Sequence, residues 1–247
     1  MEPRIQIDEV THQYRVIRER PDSLREAFTK IFSRHSSVEI FEALKKVSFQ
    51  VQDGEVLGII GRNGSGKSTL LKLIAGVFAP TQGRVQVRGS VAPLIELGAG
   101  FHADLTGREN ILLNGLLLGV AKLEIQMREA RIIDFAELGD FIDSPVKQYS
   151  SGMFMRLAFA IAVEVNPDVL LVDEILAVGD AEFQAKCEAR LQNFRDEGKT
   201  IIVVSHDAET VRRFCSRLVL LDHGEVVIDG LADDVLKRYE TLLFHPV

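Results

Sequence analysis

No run of 18 apolar residues occurs in this 247-residue chain, so no helix of it is expected to cross a bilayer. The longest apolar stretches, 169–172 and 200–204, have the length of strands. Cysteine is scarce. Cys187 and Cys215 form no C-x-x-C and no paired framework, which excludes a disulfide scaffold and points to a reducing setting with both residues in the core. Basic charge is short as well: 29 Lys and Arg against 36 Asp and Glu leave a net charge of -7. A nucleic-acid binder usually carries a basic face, so none is expected as a partner. The start, Met1-Glu2-Pro3-Arg4, leads into no apolar run, and no secretory signal is expected. There is no internal repeat and no low-complexity tract.

Apolar residues make up 46% of the chain, enough for one large domain or a core with a subdomain. Residues 5–10 and 43–51 alternate like strands of an antiparallel sheet. Between them, Ser23 and Glu26 form a capping-box pattern, and Leu24, Ala27, Phe28, Ile31 and Phe32 fall on one stripe of a helix at 22–33. That helix could pack on its own domain or lie against a partner or membrane. Pro80-Thr81-Gln82-Gly83 reads as a turn and 84–88 as a strand. Helices are expected over 107–139, with Ile111, Leu112 and Leu116 on one face, and over 150–165, 182–195, 208–214 and 233–243. Strands at 56–60, 169–172, 200–204, 218–221 and 226–228 alternate with them, the last two joined through His223-Gly224. This pattern argues an α/β sheet interrupted by a helical block.

The most specific feature is Gly61-Arg62-Asn63-Gly64-Ser65-Gly66-Lys67-Ser68-Thr69, which fits G-x-x-x-x-G-K-[ST]. Glycines let backbone N–H groups curl around phosphate oxygens, Lys67 adds a positive charge and Ser68 offers a hydroxyl to Mg²⁺. A buried strand precedes the loop, and a helix carrying Leu70, Leu71, Leu73 and Ile74 follows it, ended near Gly76. The helix N-terminus adds N–H donors and a favourable dipole. The strand 169–172 then delivers Asp173, placed to hold the metal, and Glu174, placed as general base on the attacking water. His206 follows the next strand and could hydrogen-bond the terminal phosphate; His12, His35, His102, His223 and His245 have no such context and are expected on the surface.

Tyr149-Ser150-Ser151-Gly152-Met153, at the start of a helix shortly before Asp173, resembles the signature loop of ABC ATPases, with Ser150 and Gly152 keeping the Ser and second Gly of L-S-G-G-Q. Ala177-Val178-Gly179-Asp180 looks like that family's D-loop. The order of motifs matches across nearly the whole chain. The resemblance implies an α/β fold with a P-loop NTPase, RecA-like core, an antiparallel β subdomain and an inserted α-helical subdomain. Residues 1–247 would then be one ABC ATPase domain, with 1–95 and 166–247 as the nucleotide core and 96–165 as the helical unit.

The resemblance further implies ATP and Mg²⁺, with Tyr14 on the adenine (Phe41 competes), Ser68, Asp173 and Glu96 toward the metal, and Lys67, Glu174 and His206 in catalysis. Ser150, Ser151, Gly152 and Asp180 would serve the nucleotide of a second copy. Glu96 stands near where most members have Gln. That departure, the Tyr-Ser-Ser-Gly-Met loop and Leu97-Gly98-Ala99-Gly100-Phe101 resemble the ATP-binding subunits of polysaccharide exporters. The implied partners are a separate transmembrane permease subunit, a second copy in an ATP-sandwich dimer and, indirectly, a lipid-linked polysaccharide. The implied place is the cytoplasmic face of the inner membrane. With the chain ending at Val247, no carbohydrate-binding extension is expected, and substrate choice should sit in the permease or in the loops around 94–101. The same engine could drive import or drug export, or belong to a soluble ABC ATPase acting on ribosomes or DNA. A soluble member usually holds two cassettes or a long coiled coil, and this chain has neither. A non-catalytic binding module is disfavoured by the Asp173-Glu174 pair.

Overall fold

A computed structural model describes residues 2–17, 38–95, 97–173, 179–205 and 208–244. The chain order is β1 (Ile5–Ile17), β2 (Val38–Val51), β3 (Val56–Ile60), α1 (Lys67–Ile74), β4 (Gln82–Val87) and β5 (Val91–Pro93). Helices α2 (Gly107–Leu117), α3 (Lys122–Ala136) and α4 (Ser151–Glu164) follow, then β6 (Val169–Asp173), α5 (Ala181–Asp196) and β7 (Thr200–Val204). The chain closes with α6 (Ala208–Phe214), β8 (Arg217–Asp222), β9 (Glu225–Leu231) and α7 (Ala232–Phe244). The helix expected at 22–33 lies outside the described residues.

Two sheets form. One has the order β5-β6-β7-β3-β8-β9, the other β2-β1-β4. In the first, β5, β6, β7, β3 and β8 run parallel and only β9 is antiparallel. Its central strands are buried on both faces, which is why 169–172 and 200–204 are continuous apolar runs rather than alternating ones. Parallel strands end on one edge, so the C-terminal ends of β3, β6 and β7 lie on the same side of the molecule. The second sheet is antiparallel and packs Ile5, Ile7, Val10, Leu44, Val47 and Phe49 against α1 and one face of the large sheet. The other face is covered by Phe159, Phe183, Phe194 and Leu236 of α4, α5 and α7. Burying such side chains stabilises by roughly 1.5–3 kcal/mol each.

α4 joins two cores. Phe159, Ala162 and Val163 pack with the large sheet, while Leu157, Ala160 and Ile161 pack with Ile111, Ile125 and Ile132 of α2 and α3. A helix apolar all round has to be covered on every side. Within α2 the expected face is corrected. Ile111 is buried but Leu116 is 47% exposed. The inward face runs through Asn110, Ile111 and Gly115, because α3 approaches so closely that a Cβ at Gly115 would lie 2.6 Å from Ile125. The edge strand β5 was not anticipated; three residues carry too little periodicity to be read. Among the described residues no helix is long and apolar enough to cross a membrane.

Candidate active site

The phosphate-loop motif occupies the turn between β3 and α1. Gly66 sits at φ 104°, a left-handed conformation that glycine adopts without strain, and a Cβ there would lie 2.6 Å from the Ala43 carbonyl oxygen. At Gly61 a Cβ would lie 2.1 Å from the Leu221 carbonyl oxygen. The loop is thus pressed between β2 and the end of β8. The β8–β9 hairpin buttresses it further: the Gly224 amide donates to the Ser65 carbonyl at 3.1 Å, and the Lys45 amide donates to the Gly224 carbonyl at 2.8 Å. His223 and Gly224 both take positive φ, as a tight hairpin turn requires.

Lys67 is buried, and its ammonium donates to the carbonyls of Gly61 at 2.8 Å and Arg62 at 3.0 Å. These bonds hold a positive charge at the rim of the loop. A cleft of about 340 Å³ opens there, lined by Asn63, Gly64, Gly66, Lys67, Ser68 and Thr69 together with Asp173, Ala43, Tyr14 and Phe41. Asp173 reaches it because β6 pairs with β7 in parallel register, Asp173 opposite Val204. Arg62 is exposed and does not line the cleft; Ser65 is buried beneath the loop, its hydroxyl without a hydrogen-bond partner.

A cation at this cleft would meet the Ser68 hydroxyl and the Asp173 carboxylate. Among the described residues no group of three His, Cys, Asp or Glu side chains could hold a metal ion alone. Hard oxygen donors, few in number and beside a phosphate cradle, suit Mg²⁺, which is held by one or two protein ligands plus substrate phosphates. Glu96, Glu174 and His206 lie outside the described residues.

The aromatic end of the cleft differs from expectation at His12. Tyr14 and Phe41 are directly paired across β1 and β2, and both line the cleft. The Tyr14 hydroxyl lies 3.4 Å from the Thr69 hydroxyl. His12, expected on the surface, is only 8% exposed. Its ring meets Tyr14 edge-on at 4.9 Å and stacks on Phe78 at 5.7 Å. Register shifts in β1 between Ile7 and Val10 and again at His12 break the simple alternation, and Phe78 arrives from the loop after α1, so only folding brings the two rings together.

The second group of expected residues lies elsewhere; none of Ser150, Ser151, Gly152 or Asp180 lines the cleft. Ser150 caps α4, its hydroxyl accepting from the Met153 amide at 3.2 Å. Asp180 caps α5 by accepting from the Phe183 amide at 3.0 Å, and accepts from Arg156 of α4 at 2.7 Å. The Phe183 amide, followed by the Arg156 charge, holds the Asp180 carboxyl below the usual carboxylate range. Arg156 also donates to Glu137 at 3.0 Å, and Lys186 of α5 donates to the same carboxylate at 2.7 Å. One network therefore ties the start of α4 to the start of α5. Sequence reasoning had no signal for Arg156.

A glycine loop between strand and helix, a buried lysine and a strand-end carboxylate on one cleft define a nucleotide-binding P-loop module. Residues 44–177 match the ABC transporter family. An O-antigen export system ATP-binding protein of Klebsiella pneumoniae is 43% identical over 97% of this chain and 98% of its own length. A protein of the same description from Myxococcus xanthus is 50% identical over 81% of this chain, and a teichoic acids export ATP-binding protein of Lactococcus lactis is 46% identical over 88%. The chain spans 46% and 47% of the length of those two. Among solved structures, a dimeric ATP-binding cassette in a post-hydrolysis state bound to ADP and Pi superposes with a TM-score of 0.71 at 26% identity, covering 92% of this chain and 98% of that one. The chain belongs to the ABC transporter family.

Proposed function

We propose that this chain is the ATP-hydrolysing subunit of an ABC exporter for a lipid-linked polysaccharide, working with a separate transmembrane subunit at the cytoplasmic face of the membrane. The observation that carries the reading is the near full-length match to an O-antigen export ATP-binding protein, joined to a cleft in which Lys67, Ser68 and Asp173 converge. Two copies sandwich ATP, each molecule lying between one copy's 61–69 loop and the Ser150–Gly152 turn of the other. Lys67 and the loop amides bind the phosphates and stabilise transition-state charge. Ser68 and Asp173 would hold Mg²⁺, which would supply further neutralisation of phosphate charge. Glu174, directly after Asp173, takes the proton of the attacking water, and His206 contacts the terminal phosphate. In this reading 96–165 is the helical unit, and with the Glu96 to Phe101 loop it faces the transmembrane subunit.

The test is Glu174→Gln. It removes the base while leaving the cleft intact, so the variant should bind ATP, accumulate as a dimer in size-exclusion chromatography and turn over at least ~100-fold more slowly. Normal steady-state turnover in that variant would remove Glu174 from the mechanism. Wild-type specific activity should also rise with protein concentration, as a site completed by a second copy requires.

A further inference from the structure

We propose that Phe154 is a positioning residue for the Ser150–Gly152 turn, acting through a contact with Gly98 and Phe101 that fixes how the first turn of α4 is presented. The inference rests on the reading in which that turn meets the nucleotide held by a second copy. Phe154 stands one helical turn beyond Ser150, and its amide donates to the Ser150 carbonyl at 2.9 Å. The Ser150 hydroxyl in turn accepts from the Met153 amide at 3.2 Å. Residues four apart share one face of a helix, so the Phe154 ring and the Ser150 cap move as one piece.

The ring is held from outside its own helix. Gly98 has φ 76°, and a Cβ there would overlap the Phe154 ring, so the ring lies directly on loop backbone. Phe101 meets it at a centroid distance of 4.8 Å with the planes tilted by 58°, a favourable aromatic pairing. The loop that makes both contacts is itself tied down. The Phe101 amide donates to the Gly98 carbonyl at 2.9 Å. Just beyond, fully buried Asn110 of α2 accepts from the His102 amide at 2.8 Å and shares its N–H groups among the carbonyls of His102, Leu105 and Thr106. A buried amide with its bonds satisfied makes a rigid anchor. On the other side of the turn, the Tyr149 hydroxyl donates to the Phe141 carbonyl at 2.8 Å. Ser150 is thus steadied by Tyr149 before it and by Phe154 after it. Neither ring lines the Lys67 cleft, so neither contact serves the nucleotide held by the same copy.

The experiment compares wild type with Phe154→Ala, Phe154→Leu, Phe101→Ala and the Phe101→Ala/Phe154→Ala pair for thermal unfolding, equilibrium ATP binding and steady-state turnover. Loss of either ring should lower kcat by about 10–100-fold, the scale of a small misplacement away from the chemistry. ATP binding, which the 61–69 loop makes, should be unchanged. Phe154→Leu keeps an apolar side chain on the loop and should recover part of the loss. The double variant should be no slower than the slower single one, as one shared contact requires. In the Glu174→Gln background, Phe101→Ala should raise the protein concentration at which saturating ATP produces the dimer. Phe101→Ala strips the contact from the loop side and carries the test if Phe154→Ala does not fold. Unchanged kcat in Phe101→Ala, losses that multiply in the double variant, or ATP binding that falls in step with kcat overturns the positioning role. Gly152→Asp separates this from the wider reading. If it abolishes turnover while the ring variants keep theirs, the positioning role fails alone; if it too keeps full turnover, the turn serves no nucleotide and both fail.

Discussion

Gly66 and Gly152 occupy the two loops that nucleotide chemistry would need, and the chain requires them for different reasons. At Gly66 the backbone is left-handed and a Cβ would press on the Ala43 carbonyl oxygen at 2.6 Å, so the protein's own packing demands glycine. At Gly152 the backbone is not left-handed, and the nearest atom to an added Cβ is the Ser150 hydroxyl at 3.8 Å. Nothing among the described residues asks for glycine there. A close approach from outside the chain supplies a reason, and the phosphate of a nucleotide held by a second copy fits it. One loop is finished by folding; the other is an exposed helix start that, under the proposed function, acquires its purpose on assembly.

The largest expected effect breaks that comparison directly. Gly152→Asp should leave thermal unfolding within about 2 °C of wild type, since open space costs little, yet lower ATP turnover by ~100-fold or more through charge repulsion at the phosphates. Gly66→Ala should do both kinds of damage, lowering stability by roughly 1–3 kcal/mol and losing nucleotide binding. Equal thermal shifts for the two variants would erase the distinction. Mixing Gly152→Asp with Lys67→Ala sharpens it, because a heterodimer of the two retains one intact composite site. Such a mixture should trap ATP where neither parent does.

A smaller effect is expected at Arg156, which bridges the two helix starts. Its partners Asp180 and Glu137 are 64% and 43% exposed, so the ion pairs contribute at most about 1 kcal/mol to stability. Arg156→Ala should unfold within a few degrees of wild type while turnover falls more than nucleotide affinity does. Parallel loss of both would make Arg156 a structural residue only.

The smallest effect concerns the cysteines, which share neither loop. Burial pushes the thiols of Cys187 and Cys215 up to about 12. Both are therefore neutral at pH 8 and should resist iodoacetamide until the protein unfolds. A raised folded pKa means that the stabilisation from these thiols is complete below the unfolded value near ~8.5 and is lost as the pH rises toward about 12. Rapid labelling of the native protein would contradict their burial.

Much of this was legible in the chain itself. The apolar run at 169–172, the glycine loop at 61–66 and the serine before α4 each encode a local conformation through side-chain period, backbone freedom or capping, and the structure forms a strand, a turn and a capped helix there. Leu116 was misjudged because a 3.6-residue period gives the spacing of a helical face but not which of two adjacent faces a close neighbour covers. His12 was misjudged because its ring partner Phe78 lies far away in sequence.

Sequence by itself determined the α/β class, the phosphate loop and the carboxylate that ends β6, since each depends on residues adjacent along the chain. The tertiary structure alone decided that Phe41 stands beside Tyr14, that the β8–β9 hairpin props the loop, and that Arg156 reaches Asp180. Those contacts depend on strand register and helix docking. Burial of apolar surface drives both, and it does so over the whole fold at once, so no single stretch of sequence displays them.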